Sequence, residues 1–470
     1  MFRHRILLTA ILFVAAMATM QAQEKQYQVY GVGFYNQENL FDTVHDYGKN
    51  DYEYLPDGGN KWNSLKYTHK LRNMARALAD LGTDVLPKSV GCAIIGLSEV
   101  ENIYALNDLI AQPELRARGY RVAHIEGPDR RGVDCALLYN PALFRLQDMR
   151  LVPYVQELEK DSTFFTRGFL VVSGRMAGEH VTAIVCHWPS RFSVSFYRES
   201  AGRQVRAVKD SILAADPSCK VFVMGDMNDD PQDRSMAREL QARRTIEEVE
   251  EGDMYNPWWR ILEKGTGTLS YQGRWNLFDQ IVMSPNLLNR GEERDFTSLK
   301  YWKAQVFRRD YLLQQEGAYK GTPKRTHASG VWLDGYSDHL PVVLYLLKEK
   351  SAIPVEVEEP ELPVDTAFID TIHIDLPPAP EQLDSLRLQM IRHDSLMAPG
   401  MQEVPGYPIA PVSPVAPESP AAPESPDVPG SPENPGSPDI PESPVAPGLP
   451  ESPVAPGLPE SPALQPERMQ

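Results

Sequence analysis

The sequence predicts an α/β fold whose strands are covered on both faces, followed by a tail with no core of its own. Three observations carry this. Apolar runs of five to eight residues recur through residues 26–348, and several, such as Ala93-Ile94-Ile95 and Ala183-Ile184-Val185, have no polar face; strands sandwiched between layers read this way. Segments with 3.6-residue apolar spacing fall between those runs. After Lys350 the composition changes abruptly, with 28 of the 41 prolines in the last 120 residues, too few apolar groups remaining to offset the entropy of folding.

In chain order, Arg3, His4 and Arg5 precede an apolar run over residues 6–18 and small residues up to Ala22. This is the pattern of a leader cut after Ala22. The run is short for a membrane span, and no cysteine follows it to carry a lipid anchor. Residues 1–22 are read as a signal peptide, 23–350 as a folded α/β (α+β) domain and 351–470 as an acidic, disordered tail. The mature protein is then exported, without an integral membrane segment.

Strands are expected at 29–35, 93–97, 120–125, 133–139, 169–175, 180–187, 220–224, 277–283 and 342–347. Tyr67, Leu71, Met74, Leu78 and Leu81 define a helix, with Ser64 to cap it and Gly82 to end it. Gly178-Glu179 forms a hairpin turn, and Val205, Val208 and Ile212 mark a second helix. Residues 240–275 and 286–330 are aperiodic and polar and read as long loops over the strand ends. Cys92, Cys135 and Cys186 lie in apolar runs, so the four cysteines (with Cys219) read as buried thiols; their spacing excludes a zinc ribbon. Leu383, Leu386 and Met390 suggest one short helix in the tail, which otherwise reads as a solvated, polyproline-like spacer.

Charge narrows the function. Of 64 acids and 47 bases, 20 and 3 lie in residues 351–470, leaving 44 of each in residues 1–350. A neutral core argues against tight non-specific duplex binding, which leans on basic surface. It suits an enzyme for small or exposed phosphate esters. The ends of the apolar runs support that class. Asn36 and Glu38, Glu99, His187, Asp226 with Asn228, Asp279 and Ser337-Asp338-His339 each follow or open one. Oxygen-rich strand ends are what a hard divalent cation and a phosphate ester require.

Asn36, Glu99, His187, Asp226-Met227-Asn228, Asp279 and Ser337-Asp338-His339, in that order, resemble the endonuclease/exonuclease/phosphatase superfamily over residues 28–347. The resemblance implies a DNase I-like four-layer sandwich, two mixed sheets flanked by helices, with Mg²⁺-dependent phosphoester hydrolysis and Mn²⁺ as a second ion to consider. It assigns Glu99, Asn36 and Asp338 to the metal and the general acid–base role to His339, oriented by Asp279. Asp226 would position the attacking water, Asn228 a phosphate oxygen, and His187 would donate to the phosphate or leaving group. Glu38 is a lesser contributor, and Glu101 reads as a solvated loop acid. Arg191, Arg203 and Arg325 are candidate phosphate clamps, because guanidinium matches phosphate in a two-pronged manner. Ser98, Met227 and Gln280 depart from the usual residues beside the motifs. A monomeric nuclease is the first reading. A phosphatase or lipid phosphodiesterase is the second, with Tyr255, Trp258 and Trp259 available to stack on a base or meet a lipid. An inactive binding scaffold is the third.

Overall fold

The structure is a computed structural model that describes residues 25–157, 166–291, 294–328 and 330–354. The expected leader, the tail and its short helix lie outside the described residues. The strands are β1 (Tyr27–Leu40), β2 (Ile94–Val100), β3 (Arg121–His124), β4 (Asp134–Tyr139), β5 (Phe144–Val152), β6 (Phe169–Met176), β7 (Glu179–His187) and β8 (Lys220–Asp226). They continue as β9 (Ala242–Arg243), β10 (Met254–Tyr255), β11 (Leu269–Tyr271), β12 (Arg274–Asn276), β13 (Asp279–Met283), β14 (Lys300–Val306), β15 (His327–Ala328), β16 (Val331–Trp332) and β17 (Val342–Glu349). Three longer helices, α1 (Ser64–Asp80), α2 (Ile103–Ile110) and α3 (Ser195–Ala215), complete the frame.

Two mixed sheets form. One has the order β14-β17-β1-β2-β4-β3, the other β5-β6-β7-β8-β13-β10-β9, and each is built around a central parallel pair, β1/β2 and β7/β8. Period-2 alternation sorts the side chains into layers. Val32, Phe34, Val185, Phe222, Met224, Ile281 and Leu344 fill the space between the sheets. Tyr35, Ile95, Leu97, Val343 and Tyr345 face outward onto α1 and α2, while Ile184, Cys186, Val221 and Val223 face outward onto α3. This is the expected four-layer sandwich. Gly96 lets the sheets approach, since a Cβ there would lie 2.7 Å from the Met224 sulfur. All four cysteines are buried free thiols. Among the described residues no helix is long and apolar enough to cross a membrane.

Several local expectations change. The cap of α1 is Asn63, whose side chain accepts from the Lys66 N–H at 3.1 Å, not Ser64, which is the first helical residue. The β6–β7 turn is Ala177-Gly178, both at positive φ, one residue earlier than expected. Residues 286–330 are not only loop, because β14 forms an edge of the first sheet, and residues 240–275 hold β9 to β12. Edge strand β5 was likewise outside the expected set. Edge strands have one apolar face at most and carry charges against edge pairing, so Arg145, Asp148 and Arg150 broke the pattern in β5, and a bulge between Tyr301 and Lys303 broke it in β14.

Candidate active site

The two parallel pairs end on the same side of the sandwich, and the site lies beyond those ends. His187, Asp226 and Asp279 stand in register across β7, β8 and β13. Being in register, they share a face, and alternation from Val185, Met224 and Ile281 turns that face towards the other sheet. Asn36 opposes them two residues beyond Phe34, and its Nδ2 donates to Asp226 Oδ2 at 3.0 Å, joining the sheets. Strict alternation would point Glu99 outward with Leu97. A register shift between Ser98 and Val100 prevents this, and Glu99 takes φ 57. A bulge of this kind re-aims a side chain at a strand end; Glu99 Oε1 comes to lie 3.6 Å from His187 Nε2.

Glu38, Asn39 and Asn228 also adopt left-handed backbone, at φ 45, 58 and 51. Such conformations cost of order 1 kcal/mol each outside glycine and are held by their surroundings. Here the holders are visible: Asn36 Oδ1 accepts from the Glu38 N–H at 2.8 Å, Glu99 Oε2 from Asn39 at 3.0 Å, and Asp226 Oδ1 from Asn228 at 2.9 Å.

The segment before β17 closes the site. Ser337 Oγ donates to the Asn36 carbonyl at 2.8 Å and accepts from the His339 N–H at 3.0 Å. His339 Nδ1 lies 2.6 Å from Asp279 Oδ2, and its Nε2 is 3.8 Å from Asp226 Oδ2 and 3.9 Å from Asp338 Oδ1. Burial opposes charge on this imidazole, but Asp279, Asp226 and the hydrogen bond outweigh it, holding its pKa well above the usual value. His187 behaves oppositely. Burial, aided by Arg167 and Arg131, holds its pKa well below the usual value, and its Nδ1 has no partner among the described residues. Two carboxylates stand 3.6 and 3.7 Å from Nε2, which favours the tautomer with hydrogen there and suits His187 to donating. Asp226 is raised to about 7, by burial first.

Not every expected residue joins. Asp338 is at the mouth, held by Arg325 Nη2 at 2.9 Å, and Arg325 also bonds Glu38 at 3.1 Å. Arg191 packs on the Phe278 ring, donates to the Asn228 carbonyl and pairs with Asp230 and Asp233, bracing the Asn228 loop. Arg203 points elsewhere, pairing on α3 with Glu157 and Glu239. Glu101 is not a solvated acid. It is buried, accepts from the Asp42 N–H at 2.6 Å, and burial next to Asp42 pushes it up to about 10.

A family model described as endonuclease/exonuclease/phosphatase family matches residues 31–348. The chain belongs to this family. It is accordingly an enzyme, a metal-dependent hydrolase acting on phosphoester bonds. The fold is similar to that of an endonuclease/exonuclease/phosphatase family protein from Bacteroides thetaiotaomicron, at 14% identity over 71% of this chain and 100% of that one, with a TM-score of 0.42. It is similar to D. rerio TDP2 complexed with a single-strand DNA product (13% identity, 68% and 99% covered, TM-score 0.40). The human Nocturnin catalytic domain with bound sulfate is a third (15%, 69% and 97%, TM-score 0.38). No curated protein sequence matches the chain.

In this family member, the donors fit a hard divalent cation. Glu99, His187 and Asp226 each bring one ligand atom within 4.8 Å of the others. With His187 a donor, the acceptors left are carboxylate and amide oxygens, the set that Mg²⁺ prefers. Buried Asp279 Oδ1 has no partner among the described residues. His124, Glu126 and Asp134 also converge, but the Lys49 ammonium stands 3.0 Å from Glu126 and the Gly127 N–H takes Asp134.

Three supports escaped the sequence reading. Gln280, at a position where the family motif usually differs, donates to the Asp229 and Leu277 carbonyls and fixes the Asp226 loop against β13. Thr268 receives the Leu340 N–H at 2.8 Å, setting the segment after His339. Lys70, on the buried face of α1, reaches Thr326 Oγ1 and the Tyr336 carbonyl, both at 2.5 Å, and so ties the helix to the loops carrying Arg325 and His339. Burial pulls its pKa down to about 8. A lone lysine between Tyr67 and Leu71 was the only available signal.

Proposed function

We propose that the chain is an exported, Mg²⁺-dependent phosphodiesterase whose substrate is nucleic acid, cut in an endonuclease-like manner. The observation that carries this reading is the Asp279–His339 pair at 2.6 Å, which brings the other imidazole nitrogen to 3.8 Å from Asp226. Residues 23–350 are proposed as the catalytic domain, with residues 1–22 removed on export and residues 351–470 as a spacer.

Glu99 and Asn36 would hold the ion, and Asp338, paired with Arg325 at the mouth, would join them only on leaving that pair. Bound Mg²⁺ would supply Lewis-acid stabilisation of charge on the phosphoryl oxygens. Asp226, fixed by the Asn36 amide and the Asn228 N–H, accepts a hydrogen bond from the attacking water. A carboxylate raised to about 7 is matched to taking that proton near neutrality. His339 keeps a proton on Nε2, beside the same carboxylate, and the general acid–base role falls to it. His187 donates from Nε2 to a phosphate oxygen, as does Asn228 with the Nδ2 hydrogen not given to the Trp188 carbonyl. Donors fixed in place before the reaction stabilise developing charge without reorganising.

The test is hydrolysis by the full chain, with Mg²⁺ or EDTA, of plasmid DNA, single-stranded RNA, sphingomyelin and inositol and sugar phosphates. Mg²⁺-dependent nicking of plasmid is expected, with kcat lowered about 10²- to 10⁴-fold in His339→Ala. A second reading, hydrolysis of small or headgroup phosphates, is favoured by a polar cavity of about 540 Å³ beside the Asn228 loop, lined by Arg191, Asp230, Asp233, Tyr271 and Arg274. Its charged walls suit a hydroxyl-rich group. Phosphate release from a small substrate without nicking would favour that reading, and silence on every substrate would leave a binding scaffold.

A further inference from the structure

We propose that Arg131 is the guanidinium that grips the substrate's phosphate on the Glu99 side of the site, a role resting on the phosphodiesterase reading above. The arginines expected for this task are already committed. Arg191 has Asp230 and Asp233 at 3.2 and 2.7 Å, Arg203 has Glu157 at 2.6 Å, and Arg325 has Glu38 and Asp338 at 3.1 and 2.9 Å. Arg167 holds Asp129 at 3.0 Å. A guanidinium with two carboxylates has little left for a third anion.

Arg131 differs in both respects that matter. Its side chain is 47% exposed, and the nearest carboxylate to its fork among the described residues is Asp129 at 3.9 Å, which Arg167 already holds. Its one other side-chain bond among the described residues is from Nη1 to Asn39 Oδ1 at 3.3 Å. Asn39 in turn gives its N–H to Glu99 Oε2, so the fork stands one residue from the proposed metal carboxylate. Its closeness to the site is felt at His187, where it opposes protonation.

The backbone below the fork is fixed. The Arg131 N–H donates to Asp129 Oδ1 at 2.9 Å, Asn50 donates to the Arg130 carbonyl at 2.7 Å, and Lys49 reaches the Gly127 carbonyl at 2.9 Å. A pinned main chain carrying a half-free planar fork is preorganised for two-pronged binding of phosphate oxygens.

The experiment measures calorimetric binding of a phosphorothioate-linked dithymidine to the full chain with Mg²⁺. Arg131→Ala is expected to weaken binding about ten- to hundredfold, the worth of a charge-assisted hydrogen-bond pair. Arg131→Lys should fall between, and Arg203→Ala should match the wild type. Arg131→Gln, which keeps a donor for Asn39, guards against a local folding defect and should bind as weakly as Arg131→Ala. Unchanged affinity in Arg131→Ala, or no binding by the wild type at millimolar ligand, overturns the proposal. Turnover of the ordinary dithymidine phosphodiester separates the two claims. Arg131-dependent binding without cleavage defeats the phosphodiesterase reading alone, and cleavage with an unaltered KM in Arg131→Ala defeats the clamp alone.

Discussion

His339 and His187 stand on either side of the same carboxylate, both buried, and their pKa values are displaced in opposite directions. His339 has Asp279 at 2.6 Å on Nδ1 and is held protonated. His187 has no partner on Nδ1 among the described residues and two guanidinia nearby, and its pKa is held well below the usual value. Lys70 is the intermediate case in protonation. It is as buried as either, with Glu38 and Asp338 acting on it from beyond ion-pair distance, and it is pulled down only to about 8. The difference teaches that burial does not set the charge of a base here. The distance to its counter-ion does.

The comparison breaks most sharply at Asp279. Asp279→Asn should turn His339 into a second His187, and kcat should fall on the order of 10³- to 10⁴-fold, the cost of losing an orienting carboxylate. NMR titration of the imidazole should move from above to near or below pH 6.5, and a His339 that stays charged would sink the argument.

Lys70→Met removes the intermediate case. It leaves Glu38 with one cation fewer in a buried site, and a loss of about 3 kcal/mol in urea unfolding is expected. A loss below about 1 kcal/mol would mean that Arg325 alone neutralises Glu38. His187→Ala, which deletes a neutral donor, should lower kcat about 10²-fold with Mg²⁺ affinity unchanged. A collapse of Mg²⁺ affinity would make His187 a ligand instead.

The mildest test is pH. Asp226 and Glu38 are both raised to about 7 in the cation-free protein. A carboxyl that keeps its proton in the folded state and loses it near pH 4 when unfolded makes folding less favourable as pH rises from about 4 to about 7. His339 acts in the same direction. Its raised value gives stability that is complete below pH 6.5 and is lost as pH rises through the folded value. The melting temperature in EDTA should therefore fall by several degrees between pH 5 and pH 8, and Mg²⁺ should reverse most of the fall. His187, held below its usual value, contributes stability that grows as pH rises towards 6.5 and offsets part of the fall. The fall should therefore be steepest above pH 6.5, and a flat or rising profile there would contradict the raised values of Asp226, Glu38 and His339.

Much of this was legible in the sequence, for a physical reason. Strands buried on both faces, such as β2 and β8, have continuous apolar runs, and the polar residue that ends each run is conspicuous against them. That made Glu99, His187 and Asp226 visible as a set. Edge strands β5 and β14 face water along one side and lack such a run. Pairing partners were also hidden. Nothing in the order of residues shows that Arg191 meets Asp230 and Asp233 while Arg131 meets no acid closer than 3.9 Å among the described residues. Glu101 looked solvated because its partner, Asp42, lies 59 positions away.

Four non-glycine residues at the mouth of the sandwich, Glu38, Asn39, Glu99 and Asn228, sit in left-handed backbone. Heat adaptation therefore has an unusual temptation in this molecule. Glycine would relax the backbone at any of the four, yet at 38 it would strip Arg325 and Thr326 of their acceptor, at 99 it would delete the carboxylate, and at 39 it would remove the amide that Arg131 holds. A more heat-resistant relative of this enzyme should have gained its tolerance in the edge strands and outer helices, leaving the strained rim as it is.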